Sequence, residues 1–245
     1  MNPAPTFEPL ADDAWLIHVG DAADPASIAR VHTLAARIRT ASPDWLLDLT
    51  PAYASLGVYF DSMRFDGMRF NGMRFDGIRV DADDVRDWLQ ALCRDATEST
   101  IAQPSRVIEI PVCYGAGFGE DFDAVAIELG LAPTELIARH SAPLYTVAMI
   151  GFAPGFPYLS GLDPTLALPR LATPRTRVPA GSVGIGGAQT GIYPRESPGG
   201  WRLIGRTPLT LFDPQRAAPS LLAPGDRVRF VAIDDDAFAR LETQA

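Results

Sequence analysis

The stretch SVGIGGAQTGIYPRESPGGWRLIGRTPLTLF, residues 182–212, decides the fold class of this 245-residue chain. It contains four short apolar runs, SVGIGG, QTGIY, WRLIG and LTLF, among glycines, prolines and polar residues. Many short strands with such punctuation are typical of a barrel or sandwich and not of alternating strand–helix units. Together with the later run DRVRFVAI, residues 226–233, the pattern predicts a mainly β domain.

The residues before this stretch extend the same domain, which we place at 106–245. RVIEIPV, residues 106–112, reads as its first strand. A helix is expected from about Glu120 to a capping Gly130, and Pro133 opens a shorter helix that reaches His140. The apolar run from Tyr145 to Ile150 reads as a further strand.

Residues 1–97 have a different pattern, in which strands and amphipathic helices are mixed. One helix begins at the capping pair Asp24-Pro25, and another carries Val85, Leu89 and Leu92 on one face. The order β-α-β-β-α predicts a small α+β domain. The polar stretch 96–106 is the predicted linker. The strands are expected at 14–19, 45–50 and 54–60, and the second helix at about 83–94.

A tandem repeat, FDSMR-FDGMR-FNGMR-FDGIR, occupies residues 60–79 of the first domain. Its period of five matches neither the strand period nor the helix period, so no single face stays apolar. Four copies are too few for a stacked solenoid, although they match one coil of a pentapeptide β-helix. We favour a surface loop or lengthened hairpin and assign the repeat no catalytic role.

Composition excludes several classes of function. The net charge of −9 argues against a nucleic-acid surface. The chain contains no lysine, which rules out a Walker A loop and Schiff-base chemistry. No apolar run is long enough to cross a bilayer and the N-terminus lacks a secretory signal, so we expect a cytoplasmic protein without membrane contact. Two cysteines and three scattered histidines predict no disulfide and no metal site.

Residues 151–208 concentrate the features of a binding site. They hold 11 of the 21 glycines and 9 of the 22 prolines, including those of the loop GFAPGFPYLSGL, residues 151–162. Glycine allows close approach to a ligand and proline stiffens the loop in advance. Six arginines and two acids give the segment a local charge of +4, so the rest of the chain carries −13. A basic island in an acidic protein is a candidate anion site, although each arginine alone could be solvated or paired.

The motifs GFAPGFPYLSGL, PRLATPRTRVPAGSVGIGG, QTGIYPRESPGGWRLIGRTPLTLFDP and PGDRVRF closely resemble the KipI/PxpB family, also labelled allophanate hydrolase subunit 1 or one lobe of a biotin-dependent carboxyltransferase domain. The resemblance runs from about Phe7 to Ile233. It implies an α+β N-terminal domain followed by a cyclophilin-like β-barrel domain. It also implies a KipA/PxpC-like partner subunit with a shared site, and a third subunit of the LamB/YcsF (PxpA) type.

Such assemblies are ATP-dependent 5-oxoprolinases, which open pyroglutamate to L-glutamate, and the resemblance implies that this chain is inactive alone. Opening the lactam needs oxyanion donors and a clamp for the substrate carboxylate. We expect Arg175 or Arg177 to be the clamp, for the carboxylate or for a phosphate, with Arg170 nearby. Glu196 or His140 is expected to act as an acid–base group, although a capping or core role for His140 is slightly favoured over a catalytic one. The remaining site residues are expected to be the oxyanion donors Gly155, Gly186 and Gly187, the apolar walls Phe152, Pro154, Phe156, Tyr193 and Trp201, and the neutral hydrogen-bonders Gln189 and Thr190.

Two alternatives stay open at this point. The founding KipI member inhibits a sporulation histidine kinase, and the aromatic loop 151–162 is equally suited to a protein contact. Related lobes of urea carboxylase transfer a carboxyl group from biotin. That chemistry would require the biotinyl lysine to come from another protein, because this chain has none.

Overall fold

The computed structural model describes residues 4–22, 24–62, 81–94, 106–115 and 117–243 in full, and the backbone alone of 66–70 and 73–76. The chain divides into two compact units, Met1–Pro104 and Ser105–Ala245. The predicted domain limits at 97 and 106 flank residues outside the described ranges, so their position stays a prediction. Within those ranges, no helix has the length and apolarity needed to span a bilayer.

The first unit is a four-stranded antiparallel sheet with two helices. The sheet order is β1-β2-β4-β3, and α1 packs against β3 and β4. Strand β1 was not predicted, so the predicted order β-α-β-β-α lacked its first element. The elements are β1 (Thr6–Ala11), β2 (Ala14–His18), α1 (Pro25–Ala41), β3 (Leu46–Ala52), β4 (Ser55–Phe60) and α2 (Ala82–Arg94).

Local signals and burial explain these elements. Helix α1 begins where the Asp24 carboxylate accepts a hydrogen bond from the Ala26 N–H, with Pro25 in the first turn. Alternate residues of β4 point inward, so Leu56 and Val58 are fully buried while Tyr59 is exposed on the opposite face. The apolar faces of α1 and α2 complete this core.

The tandem repeat forms a hairpin over the part that the structure describes. Strands β5 (Asp66–Phe70) and β6 (Met73–Asp76) pair antiparallel with each other and with no other described strand. This arrangement agrees with the expected lengthened hairpin. The remaining repeat positions, 63–65, 71–72 and 77–79, lie outside the described residues.

The second unit is a closed seven-stranded barrel, which confirms the predicted fold class. The strand order is β11-β12-β9-β8-β15-β7-β14, and β14 closes the ring by pairing with β11. Strands β7 and β15 run parallel, whereas the other neighbours are antiparallel. The strands are β7 (Val107–Tyr114), β8 (Tyr145–Ile150), β9 (Pro157–Ser160), β10 (Arg175–Val178), β11 (Ser182–Gly186), β12 (Gln189–Ile192), β13 (Ser197–Gly199), β14 (Arg202–Arg206) and β15 (Arg227–Ile233).

Three helices accompany the barrel: α3 (Phe122–Leu129), α4 (Pro133–Ser141) and α5 (Asp235–Glu242). Helix α3 ends as predicted at Gly130, whose φ of 65° is a left-handed cap. Helix α4 begins at Pro133 and contains His140, also as predicted. Helix α5 was not predicted.

Two parts of the barrel differ from expectation. LTLF forms only an isolated bridge from Phe212 to Ser220, so the strand expected there is wrong. The second half of the loop 151–162 is strand β9, which inserts between β8 and β12. Outside the barrel, β10 and β13 pair as a two-stranded ribbon. This ribbon carries Arg175 and Arg177.

Candidate functional site

The loop that follows β8 is a pair of tight turns with an exposed aromatic residue at its tip. The Ala153 N–H donates to the Gly151 carbonyl at 2.8 Å, and Phe156 N–H donates to Ala153 O at 3.0 Å. Phe152, in the centre of the first turn, has a φ of 67°, which is strained for a residue with a side chain. Its ring is nevertheless 62% exposed. The loop therefore holds an apolar ring in solvent at a cost to the backbone.

Behind this ring lies a cluster that we call the aromatic floor, formed by Phe156, Tyr158, Tyr193 and Trp201. The ring centroid of Phe156 is 4.9 Å from that of Tyr158, 5.2 Å from Tyr193 and 5.6 Å from Trp201. Phe152 contacts the floor edge-on, 5.4 Å from Phe156 and 6.4 Å from Tyr193. The predicted aromatic residues do come together. Tyr158 was missed because it lies in a strand that was read as loop.

Glycines make room for the floor. A Cβ atom on Gly186 would lie 2.7 Å from the Trp201 indole, and one on Gly184 would lie 3.1 Å from the Trp201 Cβ. On the next strand, a Cβ on Gly191 would lie 3.1 Å from both Phe156 and Trp201. A side chain would clash at Gly186 and Gly191 and would be crowded at Gly184, so packing explains these three glycines.

The predicted oxyanion donors have other roles in the structure. Gly187 begins the two-residue turn between β11 and β12 with a φ of 66°, and its N–H donates to the Leu168 carbonyl at 2.8 Å. Gly186 pairs with Gln189 across the same hairpin. A donor role for Gly187 is therefore not supported, and Gly186 serves the packing of Trp201. Gly155 is buried in the loop beside Phe212, and its donor role stays a prediction.

Arg175 is held by two carboxylates from outside the glycine-rich segment. Its Nε lies 2.6 Å from Glu120, and its Nη2 lies 2.6 Å from Asp121. Asp121 is buried and also accepts the Leu203 N–H at 2.7 Å. Burial lowers the pKa of Arg175, but the two carboxylates outweigh it and hold that pKa above its usual value. This guanidinium ties α3 to the ribbon, so it is a poor substrate clamp.

Arg177 and Glu196 pair with each other on the exposed surface of the same ribbon. Their side chains meet at 2.7 Å, and both are at least half exposed. A half-exposed carboxylate that is already paired with an arginine is not positioned to take a proton from a substrate. The structure therefore gives no support to Glu196 as the base or to Arg177 as a free clamp.

Two further arginines of the segment also have partners within the chain, whereas Arg170 does not contact a carboxylate among the described residues. Arg202 lies 3.3 Å from Glu128, and Arg206 donates to the Ala180 carbonyl at 2.9 Å. Acids from outside the segment thus offset much of its local positive charge. Arg170 is different: it is exposed, and its guanidinium lies over the Trp201 ring, 5.5 Å from the centroid. Arg170 therefore places positive charge on the aromatic floor.

His140 lies in the barrel core, away from solvent. Tyr114 Oη lies 2.8 Å from its Nδ1, and Thr190 Oγ1 lies 3.0 Å from its Nε2. Since the Thr190 hydroxyl donates to the Gly184 carbonyl, Nε2 must donate to Thr190 and Tyr114 must donate to Nδ1. Burial lowers the pKa of His140 to about 3.

These contacts correct two predictions. His140 and Thr190 are fully buried and satisfied by each other, so neither can act on a surface ligand as an acid–base group or hydrogen-bonder. Gln189 is half-buried at the start of β12 and Pro154 is exposed in the loop, and both stay candidates. Among the described residues no group of three or more histidine, cysteine or acidic side chains could hold a metal ion.

The chain matches the family model described as carboxyltransferase domain, subdomain C and D, over residues 5–222. It is 41% identical to the B subunit of 5-oxoprolinase from Bacillus subtilis (strain 168) over 229 residues, which cover 94% of this chain and 93% of that protein. It is 54% identical to the protein of the same name from Escherichia coli O157:H7 over 146 residues, 59% of this chain and 67% of that one. These relatives are named as subunits and so belong to larger assemblies.

Among solved structures, the crystal structure of TTHA0988 superposes with a TM-score of 0.74 at 38% identity. The match covers 90% of this chain and 40% of that protein, so this chain spans less than half the length of TTHA0988. The family model covers most of the chain, and the Bacillus subtilis relative matches it nearly end to end. The chain therefore belongs to the KipI/PxpB family, whose members carry the carboxyltransferase domain with its subdomains C and D.

Proposed function

We propose that this chain is the B subunit of an ATP-dependent 5-oxoprolinase. The observation that carries the proposal is the end-to-end match with the 5-oxoprolinase B subunit of Bacillus subtilis. A KipA/PxpC-like subunit and a LamB/YcsF-like subunit complete the proposed assembly, in the cytoplasm. The assembly opens the lactam of 5-oxoproline to L-glutamate, and the chain alone is inactive.

The surface on the barrel suits one part of this chemistry. The substrate has a flat five-membered lactam and a carboxylate. Phe156, Tyr193 and Trp201 of the floor are buried, so the apolar surface is offered by the exposed Phe152 ring that packs on them, and the charge by the Arg170 guanidinium over Trp201. The charged side chains described on this face are exposed or ion-paired, so we assign the chain to substrate binding and place acid–base groups on a partner. The nucleotide phosphates cannot rest on a Walker A lysine of this chain, because it contains no lysine.

The reconstituted three-subunit mixture tests the proposal. With ATP and 5-oxoproline we expect release of glutamate, measured by a coupled dehydrogenase assay. Leaving out this chain should abolish the release, and each subunit alone should be inactive.

The family description favours one competitor, carboxyl transfer from a biotinylated carrier. A carboxyltransferase function predicts carboxylation of a urea-like substrate when the carrier protein is added. It also predicts that the complete mixture releases no glutamate from 5-oxoproline. That pair of results would replace the oxoprolinase assignment.

A further inference from the structure

Two exposed side chains border the aromatic floor, and neither is needed to build it. Phe152 touches the floor edge-on, and Arg170 lies over its Trp201 ring. In the described part of the chain no carboxylate is within ion-pair distance of Arg170, whereas Arg175, Arg177 and Arg202 each have one. Arg195 is also exposed, but no contact places it on the floor. Arg170 is thus the guanidinium of this face that is free to bind an anion.

The position of Arg170 is also tied to a second member of the floor. Burial raises the pKa of the Tyr193 hydroxyl, while a hydrogen bond from the Trp201 backbone and the charges of Arg170 and Arg175 act in the opposite direction. Arg170 is therefore close enough to Tyr193 to act on its hydroxyl, and Phe152 contacts the ring of the same residue, 6.4 Å from its centroid.

The conformation of Phe152 indicates a role outside this chain. A positive φ strains a residue that has a side chain, and glycine would avoid that strain. The exposed ring makes only edge contacts with Phe156 and Tyr193, so its limited burial offsets little of the backbone strain. Strained residues of this kind cluster at ligand-binding sites.

We propose that Arg170 binds the carboxylate of the substrate while Phe152 contacts the face of its lactam ring. This assignment rests on the proposed function and deepens it, because it selects one arginine among the candidates. The planar guanidinium can donate two parallel N–H groups to a carboxylate, and the indole beneath it limits its movement. The surface would then select small cyclic amides that carry an anionic group.

The Arg170→Gln variant of the reconstituted complex tests the carboxylate contact. A lost charge-assisted hydrogen bond should raise KM for the lactam substrate at least tenfold and leave kcat nearly unchanged, because the contact is present in both ground and transition states. The probe 2-pyrrolidone has the lactam ring without the carboxylate, and we expect it to compete with the substrate. Its Ki should not change in the variant.

Arg229→Gln is the matched control, because Arg229 is an exposed arginine of β15 whose carboxylate neighbour is Glu109 at 3.7 Å. It should keep the wild-type KM. Arg170→Lys keeps the charge but loses the planar fork and should lie between wild type and Arg170→Gln. An equal rise in the substrate KM and in the inhibition constant of 2-pyrrolidone would show that Arg170 only supports Trp201, and would overturn the carboxylate assignment.

Phe152→Gly tests the ring contact without disturbing the fold. Glycine accepts a φ of 67°, so the variant should be at least as stable as wild type, while both the substrate KM and the inhibition constant of 2-pyrrolidone rise severalfold. Unchanged constants would remove Phe152 from the site. A wild-type complex with no activity on 5-oxoproline would instead refute the proposed function, which separates the two failures.

Discussion

At the scale of single residues, His140 is held between Tyr114 and Thr190 by hydrogen bonds that require the neutral imidazole. Its pKa of about 3 lies far below the value near 6.5 that histidine has in an unfolded chain. As the pH falls, His140 is therefore protonated at a higher pH in the unfolded chain than in the folded one. Acidification thus favours the unfolded state and lowers the free energy of unfolding. Burial raises the pKa of Tyr114 and Tyr145, so neither neighbouring hydroxyl ionises in this range.

His140 should thus make the barrel acid-sensitive at mildly acidic pH. We expect it to account for a loss of about 2 kcal/mol in the free energy of unfolding between pH 7 and pH 5. The His140→Gln variant should be less stable at pH 7 and lack this part of the pH dependence. Urea denaturation at each pH, with the barrel transition followed through the NMR signals of its core residues, measures both effects.

His18→Gln is the control, because His18 is a partly exposed histidine beside Glu8 in the other unit. It should keep the wild-type pH dependence of the barrel transition. If His140→Gln also retained the full acid sensitivity, His140 would not be its source.

At the scale of elements, the N-terminus of α3 is joined to the ribbon β10–β13 and to β14 through Asp121. This buried carboxylate accepts from Arg175 and from the Leu203 N–H, and Glu120 beside it contacts the same guanidinium from solvent. Arg175 Nη1 is buried and has no hydrogen-bond partner among the described residues, so the other contacts must offset the desolvation of this guanidinium. Of the two carboxylates that hold it, Asp121 is the buried one, and we infer that it is the main link to the ribbon.

Replacing Asp121 by Asn should therefore destabilise the barrel by about 2–3 kcal/mol, because it leaves the Arg175 charge partly unpaired. The equivalent change at the exposed Glu120, to Gln, should cost less than about 1 kcal/mol. Both free energies can be measured by urea denaturation at neutral pH. Equal effects of the two substitutions would contradict the assignment of the buried carboxylate as the main link.

At the scale of the whole molecule, the sequence predicts the barrel better than the site. Glycine and proline punctuation located β11, β12 and β14, and Gly130 marked the end of α3, because these signals are local. Strand β9 was missed since Pro157 was read as a loop signal, although proline is tolerated at the first residue of a strand.

The arginine pairs could not be predicted for a physical reason. Glu120 lies 55 residues before Arg175, and only the packing of α3 beside the ribbon brings them together. Counting charge within residues 151–208 therefore overestimated the free positive charge. The aromatic floor was partly predictable because its members share one segment rich in glycine, and the clash distances to Trp201 now explain that composition.

The division into two units yields the last prediction, that residues 105–245 fold without the first unit. The barrel has its own core, separate from the core of the first unit, and it closes with strands from this range alone. Trp201 is the single tryptophan of the fragment, so its fluorescence should report one cooperative urea transition.

A control fragment of residues 116–245 lacks β7, which pairs with both β14 and β15, so it should not show this transition. Aggregation of the longer fragment, or a non-cooperative transition like that of the control, would show that the barrel needs the first unit. A folded fragment would still carry Phe152, Arg170 and the aromatic floor, so it would allow the proposed substrate surface to be studied apart from the rest of the chain.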